Sequence, residues 1–253
     1  MRDGKGHGGN LIEAASIPIL VVAWHLLAVL FGHRLFPTPV DVLVEMWHLA
    51  AQETLLADLG RTLARAAAAF VAAMVLGTLV GAALGRYREA DRLFSSWVLI
   101  GLNLPAIVVA IVCYIWLGLS EFALILAVTI NKAPLVAVTM REGVRALDPD
   151  FAELARTYRM GPWRRLRRIV NPQMMPFALT AARTGLSLIW KIVLVFEVLG
   201  SDGGVGFRIG VFFQNFDIAG ILAYTIAFMA VVMAFEYLVM RRVEARVLGW
   251  RRA

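Results

Sequence analysis

Long apolar runs separated by short, arginine-bearing connections set the pattern of this chain. The runs cover about 17–31, 62–85, 94–118, 121–140, 177–199 and 218–240; the first is long enough to begin a spanning helix, and each of the other five is near the ~20 residues that cross a bilayer as a helix. They predict an all-α membrane protein with six transmembrane helices. A polar, glycine-rich stretch, MRDGKGHGGN, precedes the first run, and Arg2 and Lys5 give it the look of a signal-peptide start. The apolar run begins late, however, and no small-x-small cleavage site follows it, which favours a retained helix. Residues 37–58 scatter Asp41, Glu45, Glu53 and Asp58 among apolar positions and read as a short surface helix between spans. The chain thus divides into 1–58, a tail with the first span and an external segment, and 59–253, a core of five spans.

The connection between the fourth and fifth runs, 141–176, reads REGVRALDPDFAELARTYRMGPWRRLRRIVNPQMMP. Asp148 and Pro149 form an N-cap and first-turn pair, and Asp150 with Glu153 three residues later suits a capping box. Phe151, Leu154, Ala155 and Tyr158 follow at i, i+3, i+4 and i+7, giving one apolar face. Gly161 and Pro162 signal a helix stop. A second short helix, with Trp163, Leu166 and Val170 on one side and Arg164, Arg165, Arg167 and Arg168 on the other, is expected to end before Pro172. The loop therefore reads as two short amphipathic helices forming an ordered docking element. Within the second run, Gly77, Gly81 and Gly85 repeat at four-residue spacing, a pattern that lets another helix approach closely.

Composition narrows the class. Of 253 residues, 60% are hydrophobic and 17% charged, far more apolar than an average soluble domain. The net charge of +7 is confined to a few segments, which argues against nucleic-acid binding. Its asymmetry orients the chain: with the N-terminus inside, Arg86, Arg88, Arg92, the 141–176 loop and Arg241, Arg242, Arg246, Arg251 and Arg252 all fall on the cytoplasmic side. Only Arg34, Arg61, Arg65 and Arg208 fall near the opposite ends of the spans. The single cysteine, Cys113, lies in an apolar run and excludes an intrachain disulfide. His7, His25, His33 and His48 lack ligand spacing, and no G-x-x-x-x-G-K-[ST] loop is present. The chain is therefore expected to be non-catalytic.

Ionisable and amide side chains inside apolar runs carry a functional reading, because burying them is costly. Asn103, Asn131, Lys132, Lys191 and Glu197 are the candidates for a translocation pathway, with Arg183 nearer the cytoplasmic end. Lys191 and Glu197 stand six residues apart on different helix faces and should not pair. Pairing of Glu197 with a lysine of a neighbouring helix is the competing, purely structural reading. A surplus of positive groups at mid-membrane suits an anionic solute.

From Glu153-Leu154-Ala155 to Asn171-Pro172 the loop resembles the EAA loop of bacterial ABC importer permeases, E-A-A, three residues, G, nine residues, I-x-L-P, without a gap. Leu154, Arg159 and Asn171 depart from that pattern. With Arg159 at the motif glycine, the first helix is expected to run on to Gly161 before breaking. LGRTLARAAAAF (59–70), LNLPAIVVAIVCYIWLGLSEFA (102–123), FEVLGSDGGVGFRI (196–209) and the terminal RRVEARVLGWR resemble the subfamily importing nitrate, sulfonates and taurine. The resemblance, covering the chain from about residue 59, implies a type I ABC importer permease in the bacterial inner membrane with both termini cytoplasmic. It implies a homodimer with two ATPase subunits inside, where ATP and magnesium bind, and a solute-binding protein outside. No cofactor is bound by this chain, and its remaining neighbour is membrane lipid. The ATPase-coupling residues it implies are Phe151, Glu153, Leu154, Ala155, Arg156, Tyr158, Arg159, Gly161 and Pro172. Its alternatives are an ion-coupled secondary transporter and a non-transporting membrane scaffold.

Overall fold

The structure is a computed structural model that describes residues 7–32, 35–52, 54–240 and 242. Arg2, Lys5, His33, Arg34, Glu53, Arg241, Arg246, Arg251 and Arg252 lie outside the described residues. Within them the chain is helical: α1 (His7–Phe31), α2 (Pro39–Ala51), α3 (Thr54–Arg86), α4 (Arg88–Asn103), α5 (Ala106–Leu117), α6 (Glu121–Arg145), α7 (Pro149–Thr157), α8 (Pro162–Arg165), α9 (Asn171–Gly200), α10 (Val205–Gln214) and α11 (Ile218–Phe235).

Among the described residues four helical stretches are long and apolar enough to cross a membrane: Thr54–Arg86, Glu121–Arg145, Pro162–Gly200 and Ile218–Met240. The run expected as one span over 94–118 is broken. Helices α4 and α5 meet at 96°, because Pro105 has no N–H to continue the helix and bars Leu104 from helical geometry; Leu104 accordingly sits at φ −64°, ψ 125°. Counting that pair as one gives five, and the apolar part of α1, Ala15–Phe31, is a shorter helix.

The surface helix read from 37–58 is α2. Thr38 caps it, its hydroxyl accepting from the Asp41 N–H at 3.2 Å while the Asp41 carboxylate accepts from the Thr38 N–H at 2.9 Å. The Thr38 hydroxyl, donating to the Asp41 carboxylate at 2.8 Å, and then the Thr38 N–H hold the Asp41 carboxyl below the usual carboxylate range.

Helices α3 and α6 pack along their lengths on the glycine stripe. A Cβ at Gly77 would sit 2.5 Å from the Val136 Cβ, and one at Gly85 would sit 2.6 Å from the Val144 Cβ. Only glycine permits that approach. Around this pair, Leu124 and Val128 of α6, Ile189, Val193 and Phe196 of α9, and Tyr224 and Phe228 of α11 close the core.

Candidate functional site

The arginine-rich loop departs from the two-short-helices expectation in ways that follow from its own residues. Asp148 caps α7, accepting from the Asp150 N–H at 2.9 Å. The Gln173 side chain accepts from the Asp148 N–H at 3.0 Å and donates to the Ile169 carbonyl at 3.1 Å, pinning the start of α7 to the helix that follows. Helix α7 does not run on to Gly161. It ends at Thr157, and the turn is made by Arg159 itself, at φ +45°. The Met160 N–H donates to the Ala155 carbonyl at 2.9 Å and the Arg159 N–H to the Arg156 carbonyl at 3.0 Å. That pair is the Schellman arrangement, which normally places glycine at the left-handed position. Gly161, at φ −63°, only precedes α8.

The helix expected to stop before Pro172 continues instead. Residues 166–170 widen into a π-turn, with the Asn171 N–H donating to the Leu166 carbonyl five residues back. Widening relieves the clash between the proline ring and the carbonyl four residues before it. Pro162–Gly200 is therefore a continuous helical stretch of 39 residues. Phe151, Leu154 and Tyr158 are exposed at 46%, 47% and 71%, as is Trp163 of α8 at 74%, whereas Ala155 is buried. Glu153, Arg156 and Arg159 are exposed around that apolar face.

At the opposite end of the bundle lies a polar cluster that sequence reasoning did not assemble. Glu197 has no exposed surface. Its carboxylate accepts from Arg65 Nη1 at 2.8 Å, from the Thr62 hydroxyl at 2.9 Å and from the Gly206 N–H at 2.9 Å. Its partner is therefore an arginine of α3, not a lysine. Arg65, itself 3% exposed, reaches Glu121 with Nε at 2.7 Å and also bonds the Gly203 carbonyl. Asp58 accepts from the Gly204 N–H at 2.9 Å, Arg208 Nε at 2.9 Å and the Tyr224 hydroxyl at 3.0 Å. Gly204 stands at φ +100°, and a Cβ there would meet Glu197 Oε1 at 2.5 Å. The cluster clamps residues 200–205 and α10, a helix that lies between the last two apolar runs. The signal was present: Asp58, Thr62 and Arg65 fall at i, i+4 and i+7 on one face of α3.

The other pathway candidates separate. The Asn131 side chain donates to the Leu104 carbonyl at 3.3 Å, meeting an acceptor freed by the α4–α5 break, and Asn103 donates to its own Leu99 carbonyl at 2.8 Å. Lys132 is half-buried on α6 and Lys191 is exposed on α9. Asp91 of α4 joins Arg141 at 3.1 Å and also Arg145, tying α4 to the far end of α6. Among the described residues no group of three or more His, Cys, Asp or Glu side chains is placed to hold a metal.

Residues 73–249 match the family described as the binding-protein-dependent transport system inner membrane component. A probable ABC transporter permease of Brucella melitensis is 29% identical over 203 residues, covering 80% of this chain and 81% of that protein. A putative aliphatic sulfonates transport permease of Bacillus subtilis is 25% identical over 93% of this chain and 86% of its own, and a nitrate import permease of Synechococcus elongatus is 20% identical over 76% and 73%. The fold is similar to a chain of the inward-facing MetNI methionine ABC transporter, with a TM-score of 0.65 over 78% of this chain and 98% of that one, at 18% identity.

Proposed function

The chain belongs to the binding-protein-dependent transport system inner membrane components, as a non-catalytic ABC importer permease of the nitrate/sulfonate type, and from that premise we propose how it couples and what it carries. Helix α7 is the coupling element, docking its Phe151, Leu154 and Tyr158 face into a groove of an ABC ATPase with Glu153, Arg156 and Arg159 setting register by charge. The observation that carries this is the exposure of those three apolar side chains on a short helix fixed at both ends, by Gln173 and by the Arg159 turn. A mobile loop would have to lose entropy on docking; a capped and pinned helix has already lost it.

In this reading two copies of the chain surround the pathway through six spans each. Two ATPases, which bind ATP and magnesium, attach on the cytoplasmic side together with both termini, and a solute-binding protein docks outside. Closure of the ATPases on ATP draws the two α7 helices together and turns the pathway outward; hydrolysis resets it. The solute is a small anion, in keeping with sulfonates and nitrate among the relatives' names and with lysines at 132 and 191 in the membrane-crossing stretches. Glu197 takes no place in the pathway, since its carboxylate is wholly enclosed and bonded. Purification in mild detergent with mass spectrometry of associated subunits tests the assignment. An ABC ATPase should co-purify and uptake into vesicles should require ATP; uptake driven by an ion gradient without ATP would overturn it.

A further inference from the structure

Helix α9 carries a polar face that the fold leaves uncovered. Thr180, Arg183, Thr184, Ser187 and Lys191 recur at helical spacing and are all exposed, while Ala181, Gly185, Leu186, Ile189 and Trp190 turn inward and are buried. Facing hydrocarbon, such a stripe would be costly. The hydroxyls sharpen the point. Thr129, Thr139, Thr180 and Thr225 each donate to the carbonyl four residues back, at 2.7, 3.0, 2.9 and 2.7 Å, the usual way a membrane helix satisfies a hydroxyl within itself. Thr184 and Ser187 make no hydrogen bond, and Lys191 no ion pair, among the described residues. Lower on the helix Arg183 is held 3.6 Å from Glu236. Ser187 and Lys191 also line a cavity of about 240 Å³ with Thr225 and Met229 of α11 and with Glu236, the carboxylate whose charge Arg183 offsets.

Resting on the importer reading above, we propose that this face of α9 walls the solute pathway, and that Lys191, Ser187 and Thr184 form a binding site for a small oxyanion such as a sulfonate or nitrate. The three side chains descend one face over two turns. The ammonium offers donors only and supplies the countercharge, and the two hydroxyls are free to donate. An acceptor-only ligand satisfies all three at once, whereas a cation or an amine would leave Lys191 opposed or unpaired. The site sits on a rigid helix and needs no rearrangement to present its donors.

The test uses the full permease–ATPase complex in proteoliposomes, in a Cys113→Ala background carrying Thr184→Cys, Ser187→Cys or, as a comparison on the apolar face of α3, Val71→Cys. A sulfonate-bearing, membrane-impermeant thiosulfonate should modify positions 184 and 187 and spare 71. Adding Lys191→Met should slow that reaction about tenfold while leaving an uncharged hydrophilic reagent unaffected. If only a lipid-soluble maleimide labelled 184 and 187, as it labels 71, the face would be lipid-covered and the inference wrong. If the hydrophilic reagents reacted but were indifferent to Lys191→Met, the anion site would be refuted. ATPase retention in the same samples separates the two levels: an unreactive face with the ATPase bound refutes only the α9 assignment, whereas a missing ATPase contradicts the importer reading.

Discussion

Three residues, Arg159, Arg65 and Glu197, hold conformations or charges whose cost is offset by their surroundings. Arg159 adopts φ +45°, a conformation that costs a non-glycine residue about 1 kcal/mol or more. Arg159→Gly should therefore stabilise the end of α7, slowing amide exchange at Met160 roughly fivefold; exchange that is unchanged or faster would show that the arginine side chain itself holds the turn. The Arg65–Glu197 pair is sealed at 2.8 Å with exposures of 3% and 0%. Removing one partner leaves the other charge buried, so Arg65→Met or Glu197→Leu alone should cost about 3–5 kcal/mol, and the double variant less than the sum. Thermal unfolding in detergent, read as a double-mutant cycle, measures that coupling, and simple additivity would deny it. At this scale the sequence was only partly legible. The cap at Asp148 and the exposed face of Phe151, Leu154 and Tyr158 followed from spacing. The Arg159 turn did not, because nothing in its side chain announces a left-handed backbone. The cluster around Glu197 was missed because its members come from distant segments, brought together only by packing.

Among the elements, the α3–α6 contact is the one whose geometry the sequence announced most directly. A Cβ at Gly77 would crowd Val136, whereas one at Gly60 would meet nothing within 4 Å. Gly77→Val should force the helices apart and reduce the folded, monodisperse yield sharply, and Gly60→Ala should be neutral or slightly stabilising. Equal behaviour of the two would remove the packing account. Prolines were harder to read. Pro105 breaks a helix while Pro172 does not, although both stand in apolar or amphipathic helical patterns. The difference lies in what receives the freed carbonyls: at Leu104 the chain bends and Asn131 supplies a donor from another helix, whereas around Pro172 the helix widens locally and continues. Helix α10 falls outside the six apolar runs, and glycines at 200, 203 and 204 dominate its entry. They serve the clamp around Glu197 and Asp58, and the helix begins just beyond them.

For the whole molecule, arginine asymmetry predicts that the loop between α6 and α9 faces the cytoplasm and that the turn between α5 and α6 faces out. With Cys113 replaced, Leu119→Cys and Arg164→Cys should label from opposite sides of intact cells and inverted vesicles with an impermeant thiol reagent; labelling of both from outside would invert the topology. The central claim is that α7 transmits ATP hydrolysis to the membrane helices through its apolar face. The most direct measurement is ATP hydrolysis by the reconstituted permease–ATPase complex with solute-loaded binding protein, compared among wild type, Phe151→Ala, Tyr158→Ala and Trp47→Ala, an exposed aromatic of α2. Truncating an aromatic anchor in a desolvated interface costs about 2 kcal/mol or more, a complex weakened roughly 30-fold. Both α7 variants should therefore lose ATPase binding and stimulated hydrolysis while inserting normally, and Trp47→Ala should retain both; wild-type binding and stimulation in Phe151→Ala and Tyr158→Ala would contradict the account.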